Sequence, residues 1–356
     1  MFFLKAARQI VLPLARITFP RLGPLLENLL LMKTELRNLK LLIILYSAFA
    51  TTAVLGQTAT NYIWIGAANG TNLATAGNWT TNGVDPAVTL PSGHGLDGIS
   101  PGDTAIWDGR TTTNLVITYG TVSLPGTGFA SLGINLVMTT NQTNSVQVIS
   151  SVAGSAGVGV NNIEVASGAG AFTWGDTTAN NLLTFGRPAG AVHHFVNNST
   201  NPVTINPSVR WQAGGGNGYT YDFIGPGNWI ITNDLMPDGG AFSANYVQVD
   251  GPGIVYWSAG STGTYNPNSP LGGITINGGA LVLKSAFPPN VPVGNAPITN
   301  NANFAFDAAS QVQVLAGIIS GTGQLIVTNG TLTLAGSNIY TGNTLLNGGE
   351  LFDQFG

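Results

Sequence analysis

Short β-strand patterns, each introduced by glycine, recur along most of the chain and constrain its fold more than any other feature. A unit starts with Gly-x-Gly or Asn-Gly and continues into β-branched, aromatic or alternating apolar and polar residues. Such units start at Gly168, Gly225, Gly251, Asn277, Gly321, Asn329 and Asn347. Gly and Asn mark tight turns because they tolerate a positive φ. The alternation of period two that follows is typical of a strand with one buried face.

The spacing of the turn glycines indicates a solenoid. The six glycines that define it are Gly227, Gly253, Gly279, Gly323, Gly330 and Gly349. The first three follow one another at intervals of 26, and the last lies 26 residues after the fourth and 19 after the fifth. One short strand buries too little apolar surface to fold alone, whereas stacked units share a continuous core. The sequence therefore predicts an all-β protein, a right-handed single-stranded parallel β-helix. A β-propeller, whose blades need about 40–50 residues, or a sandwich of hairpins is the alternative.

Composition excludes several classes of function. The chain has 49 glycines, no cysteine and only 7% charged residues, whereas an average domain has about 25% charged residues. The lack of cysteine excludes a disulfide scaffold and a Cys-based metal site. From residue 57 onward, 4 basic residues stand against 13 acidic ones. Four scattered cations cannot neutralise a run of phosphates, so we expect no nucleic-acid partner.

The first 56 residues have the pattern of an export signal. A basic stretch at 32–40 precedes an apolar run at 41–50, which is the order of charges and hydrophobicity in a secretory signal peptide. We therefore predict a signal peptide at 32–56 and an extracellular or cell-surface location. Residues 1–31 are then a leader extension, or the true start is Met32.

Two cleavage points fit the small-x-small pattern, after Ala50 and after Gly56. A membrane anchor is the alternative to cleavage. The fully apolar core at 41–45 is much shorter than the about 20 apolar residues that a spanning helix needs, so cleavage is favoured.

The best copy of the repeat lies at residues 321–351. It contains Gly-Thr-Gly-Gln-Leu from Gly321, Gly-Thr-Leu-Thr-Leu from Gly330, Asn-Ile-Tyr-Thr-Gly from Asn338 and Asn-Gly-Gly-Glu-Leu from Asn347. This stretch resembles the autotransporter-associated β-strand repeat, also called the passenger-associated transport repeat. Weaker copies reach back to about residue 168.

The resemblance implies a β-helix over 126–356, export, and a structural or adhesive role at a bacterial surface. It implies no catalytic residue and no cofactor, and its partners would be cell-surface glycans or other surface proteins. Residues 57–125, with Trp64, Trp79 and Trp107, are similar to the opening module found before such repeats, which we expect to cap the β-helix.

An autotransporter passenger is followed by an outer-membrane barrel, whereas this chain stops just past a repeat. We therefore expect a truncated passenger whose barrel lies beyond the given sequence. Release without a barrel of its own is the alternative.

The last repeat also predicts which side chains form the core. Period-two alternation places one set inward, namely Leu325, Val327, Leu332, Leu334 and Leu351. Thr331 and Thr333 then face outward.

Few residues suggest chemistry. Asp97, Asp103 and Asp108 lie in a glycine-rich stretch with His94 and are candidates for a Ca²⁺ site or a carboxylate cluster that cleaves sugars. Since EF-hand spacing is absent, a turn-forming role is favoured. The doublet His193-His194 could offer imidazole ligands to a metal. No HExxH pattern or neighbouring acid supports this, so a turn or strand position is favoured.

The seven tryptophans raise a separate question of glycan stacking. Trp174, Trp229 and Trp257 lie inside repeat strands, which favours core packing. Trp211, beside Arg210, is the best candidate for an exposed glycan-stacking residue. The leading hypothesis remains a non-enzymatic stalk or adhesin. The alternative, a polysaccharide-degrading enzyme or a glycan-binding module, requires carboxylates that converge on one face of the coil stack.

Overall fold

Stacked β-strands make up more than half of the part of the chain that the computed structural model describes. The described residues are 60–68, 70–73, 75–85, 87, 103–110, 113–119, 134–150, 154–177, 181–185, 192–206, 209–210, 219–232, 245–259, 271–287 and 292–354. They all belong to one compact unit, 57–356. The predicted leader extension and signal peptide lie outside the described residues.

The described residues contain twenty-four strands, and their helical segments are two short 3₁₀ turns. In chain order they are β1 (Asn61–Trp64), β2 (Trp79–Thr80), β3 (Thr104–Trp107), β4 (Leu115–Tyr119), β5 (Ile134–Met138), β6 (Val146–Ser150), β7 (Gly154–Val165), β8 (Phe172–Trp174), β9 (Asn181–Phe185), β10 (Val192–Asn197), β11 (Val203–Ile205), β12 (Val209–Arg210), β13 (Thr220–Ile224), β14 (Trp229–Ile231), β15 (Asn245–Val249), β16 (Ile254–Trp257), β17 (Leu271–Ile276), β18 (Ala280–Leu283), β19 (Ile298–Asn300), β20 (Asn303–Leu315), β21 (Ile319–Ser320), β22 (Gln324–Leu334), β23 (Thr344–Leu346) and β24 (Glu350–Asp353). The 3₁₀ turns are Ala76–Asn78 and Pro292–Gly294. No helix of the described residues is long and apolar enough to cross a membrane.

The strands form two sheets, and the chain passes from one to the other as it coils. The first sheet runs β2-β1-β3-β5-β7-β10-β13-β15-β17-β19-β21, with β9 and β12 alongside. The second runs β23-β22-β20-β18-β16-β14-β11-β8-β6-β4, with β24 on β22. All described pairings are parallel except β1 with β2.

This topology confirms the predicted parallel β-helix and rules out a propeller or a sandwich of hairpins, because hairpin strands pair antiparallel. The right-handed sense of the coil stays a prediction. The expected boundary at residue 125 does not separate two structures. Strands β3 and β4 of the predicted opening module pair with β5 and β6 and so belong to the same two sheets.

The core lies between the sheets and follows the alternation of the strands. Leu325, Val327, Leu332 and Leu334 are fully buried, which confirms their predicted inward positions. Leu351 pairs with Leu332 in register but is only half-buried, because β24 has a described neighbour on one side only.

The turn glycines stack from coil to coil. A Cβ on Gly253 would collide with the carbonyl oxygen of Gly227, and a Cβ on Gly279 with that of Gly253. Of the six predicted turn glycines, only Gly279 and Gly330 have a positive φ. The close approach of a neighbouring carbonyl therefore explains most of these glycines, rather than the positive φ expected from sequence.

One predicted interval is wrong. Gly323 lies under Gly342, whose Cβ would collide with the Gly323 carbonyl, while Gly349 lies beside Gly330. The coil length here is thus 19 residues, and the 26-residue interval between Gly323 and Gly349 does not describe a coil.

Candidate functional site

A continuous row of polar side chains runs along the outward face of the first sheet. Its members occupy the same register position on ten successive strands, as the pairing of each strand with the next shows. We call this row the polar ladder; it consists of Asn61, Thr104, Asn135, Asn162, His194, Asp222, Gln248, Thr275, Thr299 and Ser320. Neighbouring strands are about 4.8 Å apart, so the ladder presents one hydrogen-bonding group at each such step.

Hydrogen bonds join the centre of the ladder. The Asn162 amide donates to Asn135 Oδ1 over 2.9 Å, and Asn162 Oδ1 accepts the backbone N–H of His194 over 2.8 Å. The His194 ring donates from Nδ1 to Asp222 Oδ2 over 3.2 Å. Each of these residues therefore helps to orient the next one in the ladder. The His194 side chain remains 52% exposed.

Asp222 is the least exposed member of the ladder. It is only 5% exposed, and its Oδ1 has no hydrogen-bond partner among the described residues. Burial raises the pKa of Asp222 above its usual value, and the nearby charge of Asp250 adds to the rise. His194 acts in the opposite direction. The Oδ1 atom of Asp222 is therefore shielded from solvent, although Asp222 occupies a register position in the outward-facing row.

A second hydrogen-bonded chain borders the ladder where the strands end. Asp250 accepts from Gln248 Nε2 over 2.6 Å and from Asn277 Nδ2 over 2.9 Å. Asn301 Nδ2 in turn donates to Asn277 Oδ1 over 3.1 Å. The two carboxylates, Asp222 and Asp250, therefore lie on the same outward face. Their proximity could not be predicted from the sequence, in which they are far apart.

An apolar flank runs along the other side of the ladder. Tyr246 is 47% exposed, and Val192 is also exposed. Val192 pairs with Thr220, which pairs with Tyr246, which pairs with Gly273. The Tyr246 ring lies beside the bare backbone of Gly273: a Cβ there would be 3.6 Å from Tyr246 Cδ1. An aromatic ring is thus held against the sheet with half of its surface open to solvent.

His193 points the opposite way, into the core. It is 1% exposed, and its Nδ1 donates to the Asn161 carbonyl over 2.7 Å. Its ring lies 5.6 Å from that of Tyr221 and 5.5 Å from that of Tyr219. Burial lowers the pKa of His193 to about 4, so it is neutral at pH 7 and has a packing role. Its position in β10 is consistent with the strand or turn position expected from sequence.

The predicted carboxylate site is not assembled in the described residues. Asp103 precedes β3 and accepts the backbone N–H of Thr60 over 2.8 Å, whereas Asp108 follows β3 and forms an ion pair with Arg110 at 2.9 Å. A strand advances about 3.3 Å per residue, so the two carboxylates sit at opposite ends of the strand. Asp97 and His94 lie outside the described residues. No group of three His, Cys, Asp or Glu that could hold a metal occurs in the described part.

The predicted glycan-stacking pair is described only in part. Trp211 lies outside the described residues, and Arg210 lies in β12, which pairs with β9. The other tryptophans, at 64, 79, 107, 174, 229 and 257, are all buried. Core packing is therefore confirmed for Trp174, Trp229 and Trp257.

Comparisons with known proteins give no match. No protein-family model matches the chain, and no curated protein or solved structure matches it either. The resemblance of residues 321–351 to the autotransporter-associated repeat therefore stays a prediction.

Proposed function

We propose that this protein is a secreted or surface-displayed β-helix with a structural or adhesive role, similar to an autotransporter passenger. The main support is the combination of a signal-like leader with a continuous stack of parallel strands. Such a stack separates two tasks, since the interior provides stability and each outward row is free to make contacts. The protein would act through an extended surface and would not need a catalytic centre.

The location is tested directly on cells that express the full chain. N-terminal sequencing of the mature product should give a sequence that begins at Thr51 or Gln57. The protein should either be removed from intact cells by protease added outside them or be present in the culture medium. A product that retains Met1 and stays in the cytoplasm would rule out this function.

A second function, action on polysaccharides, is favoured by one observation. Asp222 and Asp250 converge with His194 on the outward face of the first sheet. Enzymes that cleave glycosidic bonds use two carboxyl groups, one of them with a raised pKa. We nevertheless favour binding without cleavage, because both oxygens of Asp250 are occupied by amide donors.

A reducing-end assay on the purified protein separates the two functions. We expect no release of reducing ends from neutral or acidic polysaccharides. Release that is lost in both Asp222→Asn and Asp250→Asn, but retained in Asp307→Asn on the second sheet, would establish an enzyme instead.

A further inference from the structure

We propose that the polar ladder of the first sheet, together with Tyr246, binds an extended, uncharged polysaccharide that lies along the coil axis. This inference rests on the proposed adhesive function and names its ligand. The occupant is inferred from the chemistry of the ladder, from its charge and from its straight course.

The chemistry of the ladder matches a polyhydroxyl chain. Its amide and hydroxyl groups both donate and accept hydrogen bonds, as sugar hydroxyls do. His194, whose side chain is 52% exposed and whose Nδ1 is held by Asp222 Oδ2 over 3.2 Å, adds a fixed imidazole ring to this row.

The charge of this face excludes a polyanion as the occupant. None of the ladder residues is a lysine or an arginine, and Glu164 is exposed two positions along β7 from Asn162. With Asp222 and Asp250, three carboxyl groups lie on this face, and they would repel a polyanion such as an acidic polysaccharide. A neutral glycan carries no charge that these carboxyl groups would repel.

The geometry favours an extended chain over a compact one. The rungs follow one another in a straight row at about 4.8 Å, so an extended β-1,4-linked chain meets a hydrogen-bonding group at each step. Tyr246 stands beside this row, half exposed, and offers the flat apolar surface on which a sugar ring can rest. Rigid aromatic side chains of this kind dominate binding surfaces.

The test measures binding of the full chain to cellohexaose and to soluble hydroxyethylcellulose, with dextran and polygalacturonate for comparison. We expect binding to the first two, weaker binding to dextran and none to polygalacturonate. Tyr246→Ala should weaken binding about tenfold, and Gln248→Ala should weaken it several-fold. The matched control is Tyr256→Ala, which alters an outward tyrosine on the second sheet and should leave binding unchanged.

Three outcomes would overturn the proposal. They are absence of binding to any neutral polysaccharide, equal losses of affinity in Tyr246→Ala and Tyr256→Ala, and preferred binding of polygalacturonate. Attachment to a cell surface that is abolished by treating that surface with protease would identify a protein partner instead. Thermal unfolding of each variant shows that it is folded, and surface display is measured separately on cells. A displayed protein that binds no glycan would therefore contradict this inference and leave the proposed location intact.

Discussion

Two regions of the same solenoid differ in the length of their coils and in the side chains that fill their cores. In the aromatic coils, β8 to β16 (residues 172–257), Trp174 pairs with Ile205 after 31 residues and Ile231 with Trp257 after 26. In the short coils, β21 to β24 (residues 319–353), Val327 pairs with Leu346 after only 19. The strand pairing is parallel in both regions, so the backbone hydrogen bonding between strands does not determine the number of residues in a coil.

The two cores differ in the size of their side chains. In the aromatic coils, rings of the first sheet contact rings of the second: the ring centroids of Phe195 and Trp229 are 5.8 Å apart, and those of Phe223 and Trp229 are 5.3 Å apart. In the short coils, the fully buried apolar side chains are all aliphatic, namely Ile319, Leu325, Val327, Leu332 and Leu334. In these two regions the longer coils enclose tryptophan and the shorter coils enclose only aliphatic side chains, so coil length and core volume change together, as close packing requires.

The largest effect should come from an aromatic ring in a wide coil. Trp229→Ala should reduce the free energy of unfolding by about 3–5 kcal/mol, because it leaves a large cavity between strands that cannot move together. Trp229→Phe should cost less, since the indole N–H has no hydrogen-bond partner in the described residues. The contrasting variant is Leu346→Ala in the short coils, where Leu346 is 53% exposed and the change should be within about 0.5 kcal/mol. Denaturant unfolding with similar losses at 229 and 346 would contradict the difference between the regions.

Within the short coils, the contrast lies between the two faces of one strand. Leu332→Ala should cost about 2–5 kcal/mol, because Leu332 is fully buried. Thr333→Ala, one residue along, should change stability by no more than about 0.5 kcal/mol, since its side chain faces outward. Thermal unfolding of the pair provides the measurement. Equal destabilisation would mean that the register of β22 is shifted by one residue, because such a shift exchanges the two faces.

Acid should weaken the aromatic coils more than the short ones. The pKa of His193 is about 4 in the folded protein and 6.5 when unfolded. Between these values the unfolded chain takes up a proton that the folded protein excludes, so stability falls as pH falls. The loss should reach about 3 kcal/mol at pH 4. The raised pKa of Asp222 acts with the opposite sign, because its neutral form favours the folded state at low pH.

Hydrogen exchange at pH 7 and pH 4.5 locates this effect. Protection of β10 and β13 should decrease at the lower pH, after correction for intrinsic exchange rates, while that of β22 should change little. His193→Phe should remove most of the pH dependence of unfolding, whereas His194→Ala should retain it. An unchanged dependence in His193→Phe would show that another group is responsible.

The smallest contrast concerns the stacked glycines. Gly253→Ala should cost about 1–3 kcal/mol, because its methyl group would strike the Gly227 carbonyl within a coil that is fixed on both sides. Gly342→Ala meets the Gly323 carbonyl in a similar way, but its coil has a described neighbour on one side only and should yield more easily. The control is Gly273→Ala, where the nearest atom would be 3.5 Å away and no loss is expected. Chemical denaturation that ranks Gly342→Ala above Gly253→Ala would reverse the comparison.

Much of the core could be predicted from sequence because its signals are local. The alternation at Leu332 and Leu334 requires only adjacent residues, and the stack of Gly227, Gly253 and Gly279 occurs where three coils have equal length. The interval from Gly323 to Gly349 gave a wrong prediction because the coils shorten in this region. It equals the interval between the stacked glycines of the earlier coils, but here it joins glycines of two different turns.

The candidate site could not be found in this way. His194 and Asp222 are 28 residues apart, while Thr299 and Ser320, further along the ladder, are 21 apart. A row whose members are separated by changing intervals has no period in the sequence, and its members are common polar residues. Only the strand register brings them together. The doublet His193-His194 shows the same limit, because the sequence does not tell which ring faces the core.

The short antiparallel strand β2 has a consequence for how molecules meet. An open strand edge is a template on which another chain can add a strand, and native proteins protect such edges. Here β1 is paired on both sides, with β3 along one edge and with β2 along the other, and the indole N–H of Trp79 fixes β2 by donating to the Leu73 carbonyl over 2.9 Å. Among the described residues, an approaching strand therefore meets two residues of reversed direction, followed by the hydrogen-bonded turn of Asn82 and Asp85. This edge of the first sheet is thereby protected against the end-to-end addition of strands from a second copy, which is the first step of fibre growth.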